Sequence, residues 1–93
     1  MSFFINDFQT KIRMLDVDDM LLMTMLFHGL MPSEAAKKLG LTPPAISHRI
    51  RKIKDLFGED IFENEKIKRI PTKKGKDIFS RCEKALNIIE GRE

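Results

Sequence analysis

The chain has 93 residues, 42% of them hydrophobic and 33% charged, with a net charge of +3. That is the composition of one small folded domain, with too few residues for a second. The longest apolar stretch, Met20 to Phe27, is interrupted by Thr24 and is far shorter than the roughly 20 residues a membrane span needs. No basic segment precedes it as in a signal peptide, and the single cysteine, Cys82, excludes an internal disulfide, so a reducing cytoplasm is the expected location. The charge is unevenly spread: residues 1–30 set Lys11 and Arg13 against Asp7, Asp16, Asp18 and Asp19, a balance of −2, so the remainder holds +5. A basic half is the electrostatic footprint of a phosphate-backbone binder, although lysine-rich surfaces also serve solubility.

Residues 2–14 have the pattern of a short amphipathic helix, with Phe4, Phe8 and Ile12 on one face and Asn6 or Asp7 as cap. A second helix is expected from Asp16 to Gly29, with Asp16 as cap and Asp18 and Asp19 favouring the positive end of the dipole. It is apolar nearly all round, which predicts a central position. Pro32 to Leu39 reads as a third helix, started by Pro32 or Ser33 and stopped by Gly40 in the left-handed conformation. Thr42 can cap a fourth helix, Pro43 to about Phe57, with Pro43 in the first position, where a missing N–H costs little.

In that fourth helix Ile46, Ile50, Ile53 and Phe57 form one apolar stripe, opposite Pro44, Ser47, His48, Arg51, Lys52 and Asp55. Two short strands are expected next, Ile61 to Glu63 and Lys68 to Ile70, with Pro71 ending the second. Thr72 caps a last helix to about Glu90, on which Ile78, Cys82, Ala85 and Ile89 form a narrow seam suited to pairing with a second helix.

A short helix, a glycine-containing turn and a capped helix with one apolar and one polar face make a helix-turn-helix pattern. Such a helix fits the major groove, where base pairs present distinct donors and acceptors, and its N-terminal residues meet the base edges. The DNA-facing residues expected here are Ser33, Thr42, Pro43, Pro44, Ser47 and His48, with Arg51 and Lys52 nearer the phosphates or a guanine edge. A hairpin carrying Lys66, Lys68 and Arg69 would add a wing with phosphate or minor-groove contacts. The plain alternative is a helical hairpin with a solvated charged face.

The stretch from Ser33 to Gly75 resembles the N-terminal domain of LysR-type transcriptional regulators. The resemblance rests on Ala35-Ala36 with Leu39, Thr42 through Ser47, Ile50 and Ile53, Leu56-Phe57-Gly58, Ile61-Phe62-Glu63, and Pro71-Thr72 with Gly75, and extends over roughly residues 15–90. It implies a mainly α, winged helix-turn-helix fold with a short β-hairpin wing and a C-terminal dimerisation helix. The expected layout is a single domain, 1–93, with an N-terminal extension helix at 1–14, longer than the family's, a DNA-binding core at 15–71 and a linker or dimerisation helix at 72–93. It also implies a dimer on an inverted-repeat site, with Thr42 capping the recognition helix, Pro43, Pro44, Ser47 and His48 facing bases, and Lys68 and Arg69 in the wing.

This chain departs from the family where glutamine is usual (Pro43), where arginine is frequent (His48) and where an acid is common (Lys54). Its wing lacks an Arg-Gly-Arg type tip. The sequence ends at Glu93 without the family's effector-binding domain, leaving an excised domain or a stand-alone regulator as alternatives.

His28, His48 and Cys82 lack metal-ligand spacing, and no nucleophile arrangement or phosphate loop is present, so neither an enzyme nor a cofactor is expected. The leading expectation is a sequence-specific regulator that partners double-stranded DNA as a homodimer, cytoplasmic and nucleoid-associated. The alternative is an interaction module that pairs with another regulator, and a weaker one is a non-specific nucleoid-type binder.

Overall fold

The computed structural model describes residues 6–63 and 70–91. Among these, five helices follow in chain order: α1 Asp7–Arg13, α2 Val17–Phe27, α3 Pro32–Leu39, α4 Pro43–Phe57 and α5 Lys73–Glu90. A 3-10 turn, Glu59–Ile61, leads into strand β1, Phe62–Glu63, which pairs antiparallel with β2, Ile70–Pro71. No helix among the described residues is long and apolar enough to cross a membrane. The architecture is the mainly α, winged helix-turn-helix expected from the sequence.

The starts of four helices are set by side-chain oxygens that satisfy otherwise unpaired amides. Asn6 accepts from the Gln9 N–H at 2.8 Å, and the Gln9 side chain accepts from the Asn6 N–H in return. Asp16 and Asp19 form the same reciprocal box at α2. Thr42 accepts from the Ala45 N–H at α4, and Thr72 from the Gly75 N–H at α5. At α3 the reach is reversed, Glu34 accepting from the Met31 N–H at 2.9 Å.

The core lies where α2, α3, α4 and α5 converge. Leu22, Met23 and Leu26 of α2 meet Ala35 and Ala36 of α3, Ile46, Ile50, Ile53 and Phe57 of α4, and Phe79 and Cys82 of α5. The nearly all-apolar α2 is central, as its composition predicts, and α5 is its main packing partner. The α4 stripe is buried at every expected position.

Two strand expectations need correction. Ile61 belongs to the 3-10 turn and is fully buried, and Pro71 lies within β2, opposite Phe62, where it was expected to end the strand. A two-stranded ribbon tolerates proline because an edge position requires no ladder donor. The ribbon is tied down next to Pro71, where Thr72 donates its N–H to the Ile61 carbonyl at 3.0 Å and its hydroxyl to the Asp60 carbonyl at 2.6 Å. Gly75 is demanded by the same close approach, since a Cβ there would stand 2.2 Å from the Ile61 carbonyl oxygen.

The last helix divides the expected seam. Its core-facing line is Gly75, Phe79, Cys82 and Leu86. Cys82 is therefore inside the fold, Ile78 and Ala85 are half-buried, and Ile88 and Ile89 are exposed. Ile78, Arg81, Cys82 and Ala85 form one wall of an open apolar groove of about 350 Å³, closed on the other side by Phe8 and Ile12 of α1. Helix α1 has no buried residue, and Phe8 touches the core through Phe57, with ring centroids 6.5 Å apart. Phe4 lies outside the described residues.

Candidate nucleic-acid interface

The turn between α3 and α4 positions the candidate surface. Gly40 adopts φ +67°, ψ +32°, the left-handed conformation that reverses the chain without a Cβ clash. Leu41 then donates back to the Ala36 carbonyl at 2.9 Å, and Gly40 to that of Lys37, so the last carbonyls of α3 are satisfied within the turn. Thr42 follows as cap, and the buried isoleucine stripe holds α4 on the core.

What remains outward is a continuous face. Thr42, Pro43, Pro44, Ser47, His48 and Arg51 are all exposed, as is Ser33 at the start of α3. Pro32, Ser47, Ile50, Arg51 and Lys54 border a shallow depression of about 250 Å³ between the two helices. The hydroxyl of Ser47 and the imidazole of His48 can each exchange hydrogen bonds with a base edge or a phosphate. The wing residues Lys66, Lys68 and Arg69 lie outside the described residues.

Arg51 is exposed yet occupied. Its Nη2 donates to Glu59 at 2.5 Å and its Nε to Asp55 at 3.2 Å. The pairing with Glu59 holds that carboxyl below its ordinary value and keeps the guanidinium firmly charged. A phosphate approaching Arg51 must compete with both acids.

Lys52 is placed differently from Arg51. Its side chain turns to α2 and its Nζ pairs with the carboxylate of Asp19, which is completely buried. Arg49, one turn earlier, meets the same carboxylate with Nη1 at 2.9 Å and also grips Asp16 through two contacts of 2.7 and 2.9 Å. Asp18 lies 3.8 Å from its Nη2. Hydrogen bonding to Arg49 holds the Asp16 carboxyl below its ordinary value of 3.8.

This cluster was not evident from composition, which assigned the three aspartates to the cap and dipole of α2. A signal was present: Asp19, Leu22, Met23 and Leu26 recur at i, i+3, i+4 and i+7, which puts the carboxylate on the buried face. A buried carboxylate requires a charged partner, and Arg49 and Lys52 flank the stripe of the facing helix.

Elsewhere, His28 at the end of α2 contacts Glu83 of α5. Burial pushes the Cys82 thiol up, away from reactive thiolate chemistry.

A core-anchored helix with a capped, exposed N-terminal face, preceded by a short helix and a glycine turn and followed by a β-ribbon, defines the winged helix-turn-helix class of DNA-binding domains. Within that class, residues 31–76 match the family model described as bacterial regulatory helix-turn-helix protein, lysR family. Residues 31–76 thus correspond to the DNA-binding helix-turn-helix of LysR-type transcription regulators, a regulator family and not an enzyme family. The match is narrower than the stretch of resemblance, and leaves α1, α2 and most of α5 beyond it. No curated protein and no solved structure gives a match.

Proposed function

We propose that the chain regulates transcription by binding DNA sequence-specifically as a homodimer, on an inverted-repeat site in chromosomal DNA. The observation that carries this reading is the exposed N-terminal face of α4, with Pro43, Pro44, Ser47 and His48 outward while Ile46, Ile50, Ile53 and Phe57 lock the helix to the core. Ser47 and His48 read base edges, Arg51 supplies phosphate affinity, and Thr42 and Ser33 lie at the backbone. Lys68 and Arg69 extend the contact from the wing. The short Pro43 and His48 side chains give a base preference unlike that of relatives with glutamine and arginine there.

Dimerisation through α5 places two recognition helices in successive major grooves. The apolar groove beside Ile78 and Ala85, together with the exposed Ile89, supports that seam. Cys82 contributes from beneath, as part of the groove wall. The same groove favours a second reading, an interaction module that seats a helix of another regulator. A gel shift on random genomic fragments separates the two. Specific retention is expected of the DNA regulator, whereas no retention at low salt alongside capture of a partner regulator supports the module.

A further inference from the structure

We propose that Asp19 is a positioning residue for the recognition helix: it holds Arg49 and Lys52 on the α2 side of α4, away from phosphate, and so sharpens sequence discrimination. The inference rests on the DNA-binding reading above. Its basis is geometric. Asp19 is wholly buried, and its two oxygens are divided between the two cations, Oδ1 taking Arg49 and Oδ2 taking Lys52.

Those cations are three residues apart on α4, one helical turn, so a single fixed carboxylate sets the rotation of the helix about its axis. Together with the buried Ile46, Ile50, Ile53 and Phe57, that pairing keeps Ser47, His48 and Arg51 outward. Asp16 shares Nη1 of Arg49 with Asp19, and Asp18 lies 3.8 Å from its Nη2.

The consequence for DNA is a division of labour among basic residues of one helix. Non-specific affinity comes from cations that neutralise phosphates and release counterions, each contact adding about −0.9 to the slope of log K against log salt. Arg49 and Lys52 would raise affinity for every sequence equally if they reached the backbone. Held by the α2 carboxylates, they do not, and a larger share of the binding energy depends on the bases.

The test uses the full chain and a random-sequence duplex across a salt series, with circular dichroism to establish folding. For Lys52→Met the expected salt slope is that of the parent. A slope shallower by about 0.9 would make Lys52 a phosphate contact and overturn the proposal.

For folded Asp19→Asn the slope steepens by about 0.9 for each released cation, and the loss of affinity between about 50 and 200 mM salt grows roughly threefold to fourfold. The affinity ratio between selected and random duplexes falls. An unchanged slope and ratio in folded Asp19→Asn would also overturn it. Should Asp19→Asn not fold, Lys52→Met decides alone. A parent chain with no salt-dependent DNA binding would remove the DNA reading itself, a failure distinct from these outcomes.

Discussion

Asp19 and Arg49, thirty positions apart in the chain, are joined by a 2.9 Å hydrogen bond between a fully buried carboxylate and a guanidinium on the recognition helix. The bond fastens α2 to α4 beside the isoleucine stripe and makes the stability of the domain dependent on the side chain that orients its reading face. Removing one partner of such a pair leaves a buried charge short of compensation. Arg49→Met is expected to cost about 3 kcal/mol, read from chemical denaturation, since Lys52 is then the one cation among the described residues paired with Asp19.

The same guanidinium gives stability a pH dependence. Hydrogen bonding to Arg49 lowers the Asp16 carboxyl below its ordinary value of 3.8, so its contribution is fully present above that value and is lost as pH falls through the lower folded value. Denaturation curves collected downward from pH 5 are expected to show this loss in the parent chain. In Arg49→Met that part of the decline disappears. Asp16 is more than half exposed, so solvent screening keeps the effect small.

Gly75 tests how the ribbon is held. A methyl group there meets the Ile61 carbonyl oxygen at 2.2 Å, and backbone must yield. Gly75→Ala is expected to destabilise the chain by about 1–3 kcal/mol, measured as a lowered unfolding midpoint, although α5 itself gains helix propensity.

Arg51 and Glu59 make opposite predictions for DNA. Arg51→Ala weakens binding to all sequences and makes the salt slope shallower by about 0.9. Glu59→Gln removes the negative charge that pairs with the guanidinium at 2.5 Å, leaving Arg51 more available to a DNA phosphate, so affinity is expected to rise at low salt. Fluorescence anisotropy with a labelled duplex reads both, and equal affinity of all three proteins would contradict the assignment.

Much of this was legible in the chain. Thr42-Pro43 and Gly40 mark the turn, because a hydroxyl cap, a proline at the first helical position and a left-handed glycine each answer a local backbone requirement. The stripe of Ile46, Ile50, Ile53 and Phe57 repeats at helical spacing and is buried throughout. The ends of the strands were not legible, since two-residue strands carry no periodicity and Pro71 is tolerated by its own edge position in a two-stranded ribbon. The destination of Lys52 was hidden for a related reason. Spacing placed it on the polar side of α4, and the tertiary packing of α2 beside α4 brings Asp19 to its ammonium. On α5 the two apolar lines lie so close that spacing alone did not separate the residue facing the core, Phe79, from those facing the groove, Ile78 and Ala85.

Ile89 tests the proposed dimer seam without disturbing the fold of the chain, because it is 70% exposed. Ile89→Asp is expected to leave the unfolding free energy within about 0.5 kcal/mol of the parent's when both are measured at dilution. It lowers self-association in sedimentation experiments and weakens binding to a two-half-site duplex more than to a single half-site.

The most direct test is selection of bound sequences from a randomised DNA library by the full 93-residue chain. The account predicts enrichment of a dyad-symmetric sequence whose half-sites lie one helical turn, or a multiple of it, apart. Recovery of an unenriched pool at low salt would contradict it.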